Sequence, residues 1–170
     1  TAILNPNLKI AILERGSNVL SKVKISGGGR CNLTHAEFSP QELVLNYPRG
    51  EKELLGPFHQ FMTGDTFEWF DDRGVPLKIE DDNRVFPEAN TSQAIIDCFQ
   101  KAVDKLKIKV LTNHGVNSVF QQESKWIVNT KEQIFEADKL VIAAGSSKKV
   151  WELCESLDHG IIPPVPSLFT

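Results

Sequence analysis

The stretch KISGGGRCN, Lys24 to Asn32, places three consecutive glycines beside a fixed cation and a thiol. Glycines let backbone amides come close to a flat or anionic ligand, because no Cβ stands in the way. Arg30 could hold a phosphate or an electron-rich ring oxygen. No Lys-Ser or Lys-Thr follows the glycines, so this is not a Walker A loop, and the spacing is not GxGxxG. A flexible turn is the plain alternative.

A second candidate is Glu14, which closes the short apolar run KIAIL, Lys9 to Leu13, ahead of Arg15 and Gly16. In a dinucleotide-binding βαβ unit an acid at the end of the second strand accepts hydrogen bonds from a ribose, about 20 residues after the glycine turn. Counting back from Glu14 lands before Thr1, so the expected GxGxxG turn and the first strand lie upstream. A solvent-exposed strand-end Glu is the ordinary alternative.

Other clusters favour bland roles. Cys31, Cys98 and Cys154 are far apart, without a CxxC pair, which argues against a disulfide framework or a zinc site and fits a reducing cytoplasm. His35, His59, His114 and His159 lack metal-ligand spacing. Asp71-Asp72 and Asp81-Asp82 read as solvated helix-end and turn residues, and Lys101, Lys105, Lys107 and Lys109 as a solvated helix end. With a net charge of -3 the chain has no overall attraction to nucleic acid. No apolar run approaches the ~20 residues that cross a bilayer, and no signal peptide pattern opens the chain.

The elements that position these residues read as follows. The 170 residues, 41% hydrophobic and 24% charged, suit one ordinary globular domain. TAILNPN resembles the tail of a helix, and KIAIL a buried parallel strand. Residues 39–74 are helical in pattern: Pro57 opens one helix, Asp65 and Glu68 form a capping box, and Gly74 is the stop. VPLKIE (75–80) and RVFP (84–87) make a small β ribbon. Asn90 with Gln93 caps a helix whose apolar stripe runs from Ala94 to Leu106. KVLTNHGV, NSVFQQ and KWIVNT give antiparallel strands, and Leu140 to Ala144 returns as a buried parallel strand. IIPPVPSLFT is Pro-rich and extended.

Taken together, LERG (13–16), Lys22, KISGGGRCNLTH (24–35), RVFPEAN (84–90), TNHGVNSV (112–119), VIAAG (141–145) and LDHGIIPPVPSL (157–168) resemble the BaiN/RdsA-type, YhiN-like, FAD-dependent oxidoreductases. The resemblance runs over essentially the whole chain, with ISGGGRCN as its most specific block. It implies an α/β fold: a partial Rossmann-like FAD/NAD(P)-binding domain over residues 1–160, a parallel sheet with helices plus an antiparallel meander. Its first strand and GxGxxG turn would be missing, and residues 161–170 would begin the connection to a substrate-side domain. The missing pyrophosphate turn further predicts weak FAD binding by this stretch alone.

By the same resemblance Glu14 and Arg15 lie at the adenosine ribose. Lys22, Ser26, Gly27, Gly28, Gly29, Arg30, Cys31 and Asn32 run along the FAD towards the flavin. Val116 meets the adenine through its backbone, while Ala144 and Gly145 line the nucleotide. Many relatives carry a longer Gly- and Tyr-containing loop after VIAAG, whereas here SSKKVWELCESLDHG follows directly. Cys31 is then a candidate proton donor or flavin neighbour, with a packed, inert cysteine as the alternative.

The implied activity is hydride transfer from NAD(P)H through FAD to an unsaturated substrate, with a ribosomal RNA uridine or a bile-acid steroid as examples, in the cytoplasm. Two other classes stay open: a non-catalytic FAD- or RNA-binding assembly factor associated with ribosomal particles, and a flavin oxidase or dehydrogenase of small molecules.

Overall fold

The structure, a computed structural model, describes residues 1–163. In chain order its elements are β1 (Ala11–Leu13), α1 (Ser21–Ile25), a 3-10 turn (Ser26–Gly29), β2 (Thr34–His35), α2 (Pro40–Val44), α3 (Glu51–Phe58) and α4 (Thr63–Asp71). There follow β3 (Leu77–Ile79), β4 (Arg84–Pro87), α5 (Ser92–Lys105), β5 (Lys109–Leu111), β6 (Val116–Gln122), β7 (Lys125–Thr130), β8 (Ile134–Ala137) and α6 (Lys148–Glu155). They form two compact units, one of residues 1–10 and 18–109, the other of residues 11–17 with the segment from Val110 onward.

The first unit is built around β4, whose Val85, Phe86 and Pro87 are fully buried. The strand pairs antiparallel with β2 on one side and β3 on the other, with Thr34 opposite Val85 and Leu77 opposite Pro87. Burying a phenylalanine such as Phe86 is worth about 1.5–3 kcal/mol. A second cluster joins Cys31, Phe70, Ile95 and Cys98, with Trp69, Phe70 and Phe99 in ring contact. The apolar stripe of α5 supplies Ile95, Ile96 and Cys98 to this interior. Helix α5 is also tied to α1, since the buried Ser92 hydroxyl donates to the Lys24 carbonyl at 2.8 Å.

Several boundaries differ from the sequence expectation. Thr1–Asn5 closes a single turn rather than a helix tail. Pro57 lies in the last turn of α3, and the helix starts at Glu51, where Glu51 and Glu53 fill the acid-favouring first turn. Asp65 is the third residue of α4, and its carboxylate accepts from the Met62 N–H at 2.7 Å, so the helix begins three residues earlier than a cap at Asp65 implies. Gly74 does end that region, at φ +71°. Thr91, not Asn90, caps α5 by accepting from Gln93 N–H, while Asn90 takes a left-handed φ of +54°.

In the second unit β1 pairs with β5. Lys109 N–H donates to the Ile10 carbonyl and Glu14 N–H to the Leu111 carbonyl, so the partners rise together and the pair is parallel. Strands β6, β7 and β8 form an antiparallel meander, with the buried Val119 opposite Val128; of the three strands expected in it, KVLTNHGV instead gives β5, parallel to β1, and Ile134–Ala137 takes the third place. Helix α6, which no sequence expectation covered, contacts this sheet through Lys149 Nζ, 3.0 Å from Asn117 Oδ1.

Two expectations of burial fail here. Ala11 and Ile12 of β1 are exposed, because the strand has one neighbour only among the described residues. Residues 140–145 form no strand, with Val141 84% and Ile142 44% exposed. A buried parallel strand needs ladder partners on its edges and packing on its faces, and the described residues give this run neither. The PPVPSL segment expected to lead to another domain lies, from residue 164 onward, outside the described residues.

Candidate cofactor site

The glycine-rich segment follows α1 directly. Gly27, Gly28 and Gly29 all take left-handed φ, at +54°, +66° and +85°, and Cys31 follows at +63°. Three successive left-handed residues cost an L-amino acid roughly 1–2 kcal/mol each, which accounts for the run of glycine. The turn is closed by Cys31 N–H donating to the Ser26 carbonyl at 3.0 Å, and Ser26 Oγ donates to the Val23 carbonyl at 2.8 Å.

The glycines are not equivalent. A Cβ on Gly27 would stand 2.7 Å from Asn32 N and 3.1 Å from the Phe86 ring, so its close approach is to the protein itself. A Cβ on Gly28 would meet nothing within 4 Å. Gly28, and Gly29 whose nearest contact would be the Lys24 carbonyl at 4.0 Å, thus have an open side.

Beyond the turn, Asn32 Oδ1 accepts from Val85 N–H at 3.3 Å and Leu33 N–H donates to the Val85 carbonyl at 2.9 Å. These bonds fasten SGGGRCN to the buried RVFP strand, bringing together two blocks that are 50 residues apart in sequence. Arg30 completes the junction. Its guanidinium lies 3.9 Å from the Phe86 ring centroid and pairs with Glu80 at 2.6 Å. Arg84 approaches the same ring at 5.4 Å and the other Glu80 oxygen at 3.7 Å. Arg30 is therefore already engaged by a carboxylate and an aromatic face, and is not a free cation waiting for a phosphate.

Cys31 is 7% exposed and packed with Phe70, Ile95 and Cys98. Its thiol belongs to the interior of this unit. Burial also pushes the Cys98 thiol above its ordinary range, against smaller opposing influences from Arg73 and Lys101. Lys22 is exposed on α1.

In the second unit two turns interlock. His114 N–H donates to the Glu14 carbonyl and Asn113 N–H to the Gly16 carbonyl, both at 2.9 Å. The Glu14 carboxylate accepts from Gly16 N–H at 2.6 Å, which folds the LERG turn back on itself. Gly115 packs against Arg15, where a Cβ would stand 3.1 Å from Arg15 Cγ. Glu14, Arg15 and the start of β6 at Val116 are thereby gathered at one edge, at the C-terminal end of a parallel strand. That is where a nucleotide-binding α/β sheet holds its ligand.

Ala144 and Gly145 lie in the exposed run described above, with Gly145 at φ +65°. Among the described residues no group of three or more His, Cys, Asp or Glu could hold a metal ion. No helix of the described residues is long and apolar enough to cross a membrane.

The family described as HI0933-like protein Rossmann domain matches residues 1–165. The chain belongs to this family. A 3-dehydro-bile acid delta(4,6)-reductase of Clostridium scindens is 25% identical over 168 residues, 94% of this chain and 40% of the relative. A ribosomal RNA dihydrouridine synthase of Haemophilus influenzae is 21% identical over 171 residues, 94% of this chain and 42% of the relative. That of Escherichia coli is 24% identical over 137 residues, 81% of this chain and 33% of the relative. The chain thus spans about two fifths or less of the length of these curated relatives.

Proposed function

We propose that this chain forms part of the FAD-binding portion of an oxidoreductase that passes hydride from NAD(P)H through the flavin to a conjugated carbon-carbon double bond. The substrate we favour is a uridine of ribosomal RNA, reduced to dihydrouridine in the cytoplasm. The observation that carries the reading is the interlocking of the LERG and TNHG turns, which puts Glu14 at the end of a parallel strand next to Val116. Two of the relatives, a 3-dehydro-bile acid delta(4,6)-reductase and a ribosomal RNA dihydrouridine synthase, are named for reduction of a double bond in a ring, and this shared chemistry supports the class.

Each unit carries residues that suit part of the cofactor. Glu14 has one carboxylate contact to Gly16 and is half-buried at the strand end, so it can accept from ribose hydroxyls beside Arg15. In this reading the main chain at Val116 takes the adenine, and Ala144 and Gly145 the nucleotide. Along the first unit Lys22 and Ser26 to Asn32 would follow the cofactor, with the open face of Gly28 allowing close approach and the Arg30 guanidinium held by Glu80 and Phe86. When bound, the flavin supplies the hydride; the protein supplies orientation and electrostatics. Cys31 packs in the interior, and its role in this reading is to anchor the turn.

The test is the full-length protein. It should purify with flavin absorbance that NADH or NADPH bleaches anaerobically, and ribosomal RNA from a deletion strain should lack one dihydrouridine by mass spectrometry. A full-length protein that takes up no FAD would end the reading, and intact dihydrouridine in the deletion strain would remove the RNA substrate.

A further inference from the structure

His114 stands in the second unit between the LERG turn and the start of β6, and its own side chain has a defined place. Its Nδ1 is 2.7 Å from the Thr112 carbonyl oxygen. A carbonyl can only accept, so Nδ1 carries the proton and the neutral ring leaves Nε2 as an acceptor. The same ring meets Phe135 of β8 edge to face, with centroids 6.0 Å apart and planes at 63°. With the main-chain bond from His114 N–H to the Glu14 carbonyl, one half-buried residue joins the end of β1, the loop from β5 to β6 and the third strand of the meander.

Two features make that loop depend on the clamp. Asn113, between Thr112 and His114, has a left-handed φ of +60°, which asparagine tolerates but does not enforce. The Nδ1 bond spans Asn113 and holds the reversal closed. The ladder of β6 with β7 then shifts register between Val116 and Ser118. A bulge interrupts the regular ladder, so Val116 takes its position from the loop before it as much as from β7.

We propose that His114 is a positioning residue for the nucleotide: its imidazole, fixed by Thr112 and Phe135, sets the spacing between Glu14 and the main chain of Val116, and with it the discrimination of the base. The proposal rests on the flavoenzyme reading, in which Val116 takes the adenine of FAD. A main chain reads a base with donors and acceptors at fixed spacing, so a loosened loop loses selectivity between bases as well as affinity.

The experiment titrates the flavin-free full-length protein with FAD and with flavin hypoxanthine dinucleotide, in which an oxo group replaces the 6-amino group of adenine. Flavin fluorescence reports both dissociation constants, and the wild type prefers FAD. His114→Ala weakens FAD roughly fivefold, as one lost hydrogen bond would, and brings the two dinucleotides towards parity. His114→Asn, whose side-chain amide can donate to the Thr112 carbonyl, recovers most of the affinity and the preference. Phe135→Leu keeps the Nδ1 bond and removes the ring contact; it narrows the preference about twofold and carries the test if His114→Ala does not fold. General loosening of the fold would instead weaken both dinucleotides equally. Equal binding of the two by the wild type, a preference unchanged in His114→Ala or, failing that variant, in Phe135→Leu, or no recovery in His114→Asn overturns the proposal, while FAD binding by the wild type keeps the flavoenzyme reading. A full-length protein that binds neither dinucleotide ends both.

Discussion

Arg30 and Glu80 meet at 2.6 Å across 50 residues of sequence, with their side chains 30% and 25% exposed, and the guanidinium carbon lies 3.9 Å from the ring centroid of the fully buried Phe86. This pair ties the glycine-rich turn to the end of the β3 ribbon. Glu80 also takes Arg84 at 3.7 Å and Lys78 at 4.0 Å, so one carboxylate organises three cations. Glu80→Ala should leave Arg30 beside the Phe86 ring without its counter-charge, and lower the unfolding free energy by about 1–2 kcal/mol. Glu80→Gln, which keeps an acceptor and loses the charge, should cost about half of that. Urea unfolding of the full-length protein measures both, and equal stability of Glu80→Ala and wild type would mean that solvent screens the pair.

Gly27 and Gly28 separate two reasons for glycine in one turn. At Gly27 an alanine pays for left-handed φ and for a Cβ 2.7 Å from a backbone nitrogen that cannot swing away, so Gly27→Ala should destabilise by about 2–4 kcal/mol. At Gly28 only the φ of +66° is strained, with open space around the Cβ, and about 1–2 kcal/mol is expected. If the cofactor passes over Gly28, Gly28→Ala should lower FAD content by more than its stability loss explains. Thermal unfolding alongside flavin stoichiometry in the full-length protein decides this, and parallel losses in the two variants would remove Gly28 as a contact.

What could be read from the chain follows the range of the forces involved. The α5 stripe and the RVFP strand declare themselves because burial imposes a period on neighbouring residues. Caps slip by a residue or two where adjacent positions offer the same chemistry: Asn90 and Thr91 can both cap, and the left-handed Asn90 leaves the task to Thr91. β2 is two residues long, too short to carry a pattern. α6 was findable from Ser147 ahead of Val150, Trp151, Leu153 and Cys154. In the candidate site, Glu14 and the glycine turn are local signals. The Arg30–Glu80 pair and the packing of Cys31 on Cys98 join residues remote in sequence, and no spacing announces them.

Cys98 makes stability depend on pH at the alkaline end. Burial raises its folded-state pKa above the model-peptide thiol value of 9.0, so the unfolded chain releases its proton first. Below that value the two states hold the same proton and ionisation of the thiol does not change stability. As pH rises from 9.0 towards the higher folded value the unfolded state gains, and stability declines. Urea midpoints of wild type and Cys98→Ala, followed across that range, should converge as the pH rises. Parallel curves would show that Cys98 ionises alike in both states. The half-exposed Cys154 should also react with a thiol reagent well before Cys98 in the native protein.

Glu14 has a structural task that must be separated from ligand binding. Its carboxylate holds Gly16 N–H at 2.6 Å, and Gly16 in turn accepts from Asn113, so removing the side chain loosens the edge that carries Val116. Glu14→Gln keeps an acceptor oxygen for Gly16 and gives up the charge-assisted bonds to a ribose, each worth about 1.5–3 kcal/mol at most. For the full-length protein this predicts FAD binding weakened roughly tenfold or more with little change in the unfolding midpoint. Glu14→Ala should lose both. Should Glu14→Gln bind FAD as tightly as wild type while Glu14→Ala does not, the carboxylate would serve the turn alone, and the ribose would have to be held by another group at that edge.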